Sequence, residues 1–228
     1  LAFKNPIVAF GKLADIHVFG EVTSDAVLMG KDGWMFYKLK GEMEDSIADY
    51  QGTNHYSVDE MERFGALLKQ AEENLASRGI KLVFYMVPNK EQVYSEFMPS
   101  SVKVVQEQSK ADLLYEYLKE NTDCDVYYPL DEFRKAKDDW CQIYRKYDTH
   151  WNDMGAFMAS QMVIQDIDGE PFGPESYRSY DIENRGTFSG DLATMLNLQK
   201  YYDDDPFLKV SGYREDVSFE IDYQNEHE

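Results

Sequence analysis

The chain has 228 residues, enough for one α/β domain with a sizeable core. Its 17 Tyr and 13 Phe argue against disorder over most of the length. Asp and Glu number 43 against 23 Lys and Arg, and the formal net charge of -20 argues against nucleic acid and against an anionic membrane surface, leaving solubility, a neutral glycan or a cationic partner.

Residues 1–29 read as a lead-in segment, a short helix or irregular stretch that ends in a strand from Ala26 to Met29. Lys31-Asp32-Gly33 is a turn signal, and Trp34 to Tyr37 is the second strand of a small hairpin. Glu42 to Asp49 supplies one or two helical turns, then a loop runs through His55, which can line a cleft. Ser57-Val58-Asp59-Glu60 is a capping box. Met61, Phe64, Leu67, Leu68, Ala71 and Leu75 follow at helical spacing and predict one apolar face, with Gly79 ending the helix. Lys81 to Val87 is an almost unbroken apolar run, the signature of a buried parallel strand. Helix followed by buried strand is the α/β pattern. Pro88-Asn89-Lys90 comes where that strand ends, which is where open α/β sheets bind ligands. Asn89 can donate to an oxyanion or a substrate oxygen, and Lys90 can pair with an acid or contact the substrate. A Pro-Asn turn with a solvated Lys is the alternative.

A second amphipathic helix spans Glu107 to Glu120, then come a strand from Cys124 to Tyr128, a helix from Leu130 to Lys137 and a strand from Cys141 to Tyr144. Asn152 or Asp153 caps the next helix, whose Met154, Phe157, Met158 and Met162 face a core. Gly169 to Arg185 reads as loop or extended chain, and Gly190-Asp191 opens a helix from Leu192 to Leu198. Asp203-Asp204-Asp205 reads as a solvated turn rather than a cation site. Alternation through residues 208–222 predicts a hairpin around Gly212 to Asp216. Cys124 and Cys141 leave a disulfide and two buried thiols both open. No signal peptide and no run of ~18 apolar residues is present. Because the chain does not begin with Met, an N-terminal segment is expected to have been removed.

The stretch Tyr147-Asp148-Thr149-His150-Trp151-Asn152 carries the clearest chemistry. His is the usual general base near neutral pH, and a carboxylate on its second ring nitrogen fixes the tautomer. Two residues of separation at a strand-to-helix turn can place Asp148 and His150 at one mouth, with Trp151 as a wall against water. Ser189 lacks the glycine-flanked strand-to-helix turn that exposes a nucleophile.

Tyr147 through Phe157 resembles the Asp-x-His-Trp-Asn-x-x-Gly-Ala segment of the alginate O-acetyltransferase family, SGNH-hydrolase-like proteins related to the DHHW proteins. Three further segments agree in order: Gly30-Lys31-Asp32-Gly33-Trp34-Met35-Phe36-Tyr37, then Val87-Pro88-Asn89-Lys90 with Val93-Tyr94 and Met98-Pro99, then Ser189-Gly190-Asp191-Leu192. The resemblance implies an SGNH-like three-layer α/β domain over residues 30–200 with a mostly parallel sheet, and a C-terminal extension over 201–228. It implies an O-acetyltransferase or acetylesterase acting on a secreted or cell-surface polysaccharide, exported and N-terminally anchored, with a membrane-bound acyl-donor protein as partner. Neither a cofactor nor a metal is expected. Asp148 and His150 would be catalytic, and Asn89, Lys90, Tyr94 and Trp151 would serve the substrate or oxyanion. In that family the nucleophilic Ser follows in a Gly-Asp-Ser turn, which this sequence lacks, so the chain is expected to be a fragment that stops before it. Two other readings stay open. One is a non-catalytic glycan-binding or scaffold module in which Trp34, Tyr94 and Trp151 stack on sugars. The other is a metal-dependent hydrolase on Asp148, His150 and the acidic run, which four His without a His-x-x-x-His spacing disfavour.

Overall fold

A computed structural model describes residues 4–38, 40–41 and 45–211. In chain order these form α1 (Lys4–Phe19), β1 (Val27–Met29), β2 (Met35–Tyr37), α2 (Ser46–Gln51), α3 (Val58–Ala76), β3 (Val83–Tyr85), α4 (Lys90–Val93), α5 (Lys110–Asn121), β4 (Asp125–Tyr127), α6 (Leu130–Asp139), α7 (Asp153–Asp168), α8 (Glu175–Arg178), β5 (Ile182–Phe188), α9 (Asp191–Met195) and β6 (Asp205–Val210).

The hairpin at the start forms as its turn residues dictate. β1 and β2 pair antiparallel around Leu28 and Phe36, and Asp32 takes a left-handed φ of 53° in the turn between them. A short polar side chain tolerates that conformation. Ser57 and Glu60 close the expected capping box on α3, Ser109 and Asp112 close another on α5, and Asn152 accepts from the N–H groups of Met154 and Gly155 to start α7.

The sheet is smaller than the sequence suggested. Among the described residues β3 and β4 alone pair parallel, while β1–β2 and β5–β6 pair antiparallel. The domain is α/β, but a mostly parallel layer is realised only in that pair. The reason lies in the neighbours: β3 has one hydrogen-bonded partner, so its side chains are half-buried rather than enclosed. The apolar stripe on α3 is likewise incompletely covered, with Leu68 buried and Leu67 65% exposed. No strand forms over Cys141 to Tyr144 beyond a single bridge from Tyr144 to Trp151. Its main-chain groups go elsewhere: the Ile143 N–H donates to the Tyr94 hydroxyl, and Asn152 donates to the carbonyls of Ile143 and Gln142.

The segment read as loop after Gly169 holds α8 and β5, and β5 pairs with β6. The predicted turn over Gly212 to Asp216 lies outside the described residues. The acidic run is solvated only in part, for Asp203 and Asp204 are exposed but Asp205 is not. Asp205 is buried, accepting from the Gln142 amide and the Lys146 N–H, and Asp204 accepts from the Tyr147 hydroxyl. The main core gathers Phe36, Tyr94, Phe133, Ile143, Met154 and Met158, so the Met stripe of α7 is core packing. A second cluster joins Ala9 of α1 and Met35 of β2 to Tyr147 and to Leu192 and Leu196 around α9. These two cores meet at residues 144–150, and the site is built there. Cys124 and Cys141 are both free thiols.

Candidate active site

The turn at Tyr147 to His150 is held from four separate stretches of chain. The Lys146 carbonyl accepts from the Met35 N–H of β2, and the Tyr147 carbonyl accepts from the Leu192 and Ala193 N–H groups at the start of α9. Asp205 of β6 holds the Lys146 N–H. Lys90 completes the clamp. Its buried ammonium donates to the carbonyls of Met35 at 2.6 Å, Lys146 at 3.0 Å and Asp148 at 2.9 Å. The rings of Trp34 and Phe36 each lie 5.2 Å from the same nitrogen. Three carbonyls match the three donors of an ammonium. Burial pulls the group below the ordinary lysine range, opposed first by the neighbouring Glu91.

On this support Asp148 and His150 meet. His150 Nδ1 lies 2.7 Å from Asp148 Oδ1, the same oxygen accepts the His150 main-chain N–H, and the other oxygen accepts the Asp191 N–H. Burial pushes the Asp148 carboxyl up, but those hydrogen bonds outweigh it and hold the group below the usual carboxylate range. Thr149 ties Asp191 into the network: its N–H and hydroxyl both donate to the Asp191 carboxylate. Gly190 must be glycine here, because a Cβ would lie 2.0 Å from the Tyr147 carbonyl oxygen and 2.6 Å from Asp148 Cβ. With Nδ1 turned to Asp148, the proton sits on Nδ1 and Nε2 carries the lone pair. The His150 side chain is 74% exposed, and nothing among the described residues bonds Nε2.

His150 opens onto a cleft of about 750 Å³ that also reaches Asn89, Lys90, Glu91 and Trp151. The Asn89 amide makes no capping bond to α4 and is exposed there. Trp151 packs toward Phe133 at 6.5 Å between ring centres and forms part of the wall. So the structure brings Asp148, His150, Asn89 and Trp151 to one cleft. Lys90 and Tyr94 sit differently from a ligand-contacting role. The donors of Lys90 are taken by main chain, and Tyr94 is buried, stacked on Trp34 at 4.3 Å. His55 bonds the Gln108 carbonyl at 3.1 Å. Ser189 is no stand-in for a nucleophile: its hydroxyl is buried and has no hydrogen-bond partner. Asp148, His150 and Asp191 bring ligand atoms within 4.8 Å of one another, yet both Asp148 oxygens already accept N–H donors, which suits a hydrogen-bonded carboxylate more than a metal ligand.

Residues 27–209 match the sequence model of the AlgX-type acetyltransferases, described as an SGNH hydrolase-like domain. The chain belongs to that family. A relative within reach of this SGNH-like domain is a probable alginate O-acetylase, AlgJ, of Pseudomonas syringae pv. tomato, 28% identical over 200 residues. That match covers 82% of this chain and 45% of the relative, so the chain spans about half the length of the curated protein it resembles. The O-acetyltransferase domain of Pseudomonas putida AlgJ has a similar fold, with a TM-score of 0.51 at 16% identity over 82% of this chain and 66% of that one. A DHHW family protein of Eubacterium siraeum gives a TM-score of 0.52 at 17% identity, over 83% and 55% of the two chains. These two likenesses support the SGNH-like fold. Asp191 and Asp205 are the polar groups of the site that sequence reasoning missed. The Gly190-Asp191 pair was visible as a motif without a role, and Asp205 was hidden in a run that resembles a solvated turn.

Proposed function

We propose that this chain is the base-bearing part of an O-acetyltransferase or acetylesterase that modifies a secreted or cell-surface polysaccharide. The observation that carries the reading is the 2.7 Å bond from Asp148 to His150 Nδ1, which leaves Nε2 exposed at the cleft as a base. A Ser hydroxyl supplied from beyond the described residues gives its proton to Nε2 and attacks the acetyl carbonyl of the donor. The donor's leaving group departs with that proton. A sugar hydroxyl, or water, then gives its proton to Nε2 and attacks the acyl-enzyme; the new ester forms and the Ser leaves with the proton restored. Asp148 orients the ring and stabilises the imidazolium at each stage. The exposed amide of Asn89 can hold the oxyanion and Trp151 can shield it. An extracytoplasmic location and a membrane-bound acyl donor belong to the same proposal. No described helix is long and apolar enough to cross a membrane.

A second reading, a glycan-binding module without catalysis, is favoured by one fact: among the described residues no hydroxyl approaches Nε2. Turnover of a small acetyl ester by the full-length protein separates the two. His150→Ala is expected to lower it by about 10²–10⁴-fold with an unchanged melting transition. Turnover that survives the substitution removes His150 from the mechanism.

A further inference from the structure

The relative named above is called an alginate O-acetylase, and alginate is a polyuronate with a carboxylate on each sugar. The cleft in this chain has the wrong chemistry for such a polymer. Proteins bind carboxylates through arginine forks or lysine ammoniums. Among the described residues no arginine lines the cleft, and its cations are Lys90, Lys110 and His150. Lys90 directs its ammonium at three main-chain carbonyls, His150 turns one ring nitrogen to Asp148, and the Lys110 ammonium sits 4.3 Å from the centre of the Tyr56 ring. Asp49 adds an acidic group to the same walls. The rest of the lining is aromatic or uncharged, with Tyr37, Tyr56, Tyr128 and Trp151 prominent. The whole chain carries a formal charge of -20, so a polyanion meets a repulsive field before it reaches the cleft.

We propose that the acceptor is an uncharged polysaccharide. Its hydroxyls suit the Asn89 amide, the tyrosine hydroxyls and Asp49, and its apolar sugar faces suit the aromatic rings. This inference rests on the acetyl-transfer reading and names its substrate class.

The test uses the full-length protein with 4-nitrophenyl acetate as donor. The acceptors are a neutral β-glucan, a mannan and a xylan, set against polymannuronate, each at low and at high salt. Release of 4-nitrophenol that depends on His150 checks the acetyl-transfer reading independently of any acceptor. With that control satisfied, at least one neutral polymer is expected to take up about tenfold or more acetyl than polymannuronate, with little effect of salt. Any residual transfer to polymannuronate should rise with salt, because ions screen like charges. Preference for polymannuronate, with transfer falling as salt is added, overturns the proposal. So does transfer to none of the polymers while His150-dependent ester turnover persists, since the aromatic cleft would then not be an acceptor surface.

Discussion

Replacing Lys90 with Met keeps most of the side-chain volume and removes the ammonium beneath the Asp148 turn. The alternation of the β1–β2 ladder turns the main-chain groups of Met35 away from β1, and they go instead to Lys146 and Lys90. The Met35 and Asp148 carbonyls have no other donor among the described residues, whereas the Lys146 carbonyl keeps the Met35 N–H. Two acceptors are therefore stranded. A buried unsatisfied acceptor costs about 1–3 kcal/mol, so the gross loss is about 2–6 kcal/mol. Removing a buried charge offsets part of that, and a net loss of about 2–4 kcal/mol is expected. Denaturant unfolding of the wild type and the variant measures it directly. Esterase kinetics of the full-length protein should show a fall in kcat larger than any rise in KM, because the base is displaced while the cleft walls remain. Lys90→Arg should fare little better, since a planar fork cannot direct donors at three converging carbonyls. A Lys90→Met variant that loses less than about 1 kcal/mol and keeps its kcat would refute the clamp.

Asp148→Asn should leave the fold intact and slow ester turnover by roughly 10⁴-fold, by permitting the wrong tautomer of His150; a loss of folding with no separate kinetic defect would mark Asp148 as structural. Gly190→Ala should destabilise the protein by about 1–3 kcal/mol and depress activity, because its Cβ would press on Tyr147 and Asp148; an unchanged melting temperature contradicts the close approach. Burial pushes the Glu91 carboxyl well above the usual carboxylate range, opposed by a main-chain hydrogen bond and by Lys90. Above the ordinary carboxylate range the folded state keeps a proton that the unfolded chain has lost, so stability should fall as pH rises through the window from there toward neutrality. Glu91→Gln should flatten that slope, as read by denaturant midpoints at the two ends of the window; a slope that persists in the variant assigns it to another group.

What could be read in the sequence was local. The capping box of Ser57 and Glu60 spans one helical turn and is predicted by spacing, and Asp148 and His150 lie two residues apart, a spacing that allows their contact. The clamp could not be read that way. Lys90 reaches carbonyls 55, 56 and 58 residues distant, and a main-chain acceptor leaves no mark on residue type. Asp205 was obscured differently, since three adjacent Asp resemble a solvated turn until a partner 59 residues away buries one of them. The apolar run from Cys141 to Tyr144 resembles a strand because it is buried, yet its main-chain groups serve Tyr94 and Asn152. Burial and strand pairing are separate properties, and composition reports the first.

The four-sided anchoring of residues 146–150 also dictates an order of events during synthesis. Met35 and Lys90 are made before the turn, but the N–H groups of α9 and the carboxylate of Asp205 come 43 to 59 residues after it. Until Asp205 has emerged, the Lys146 N–H lacks its acceptor, and long-range closures of this kind form late. In a nascent chain the turn that carries His150 is therefore anchored on all four sides only once the β6 strand has docked.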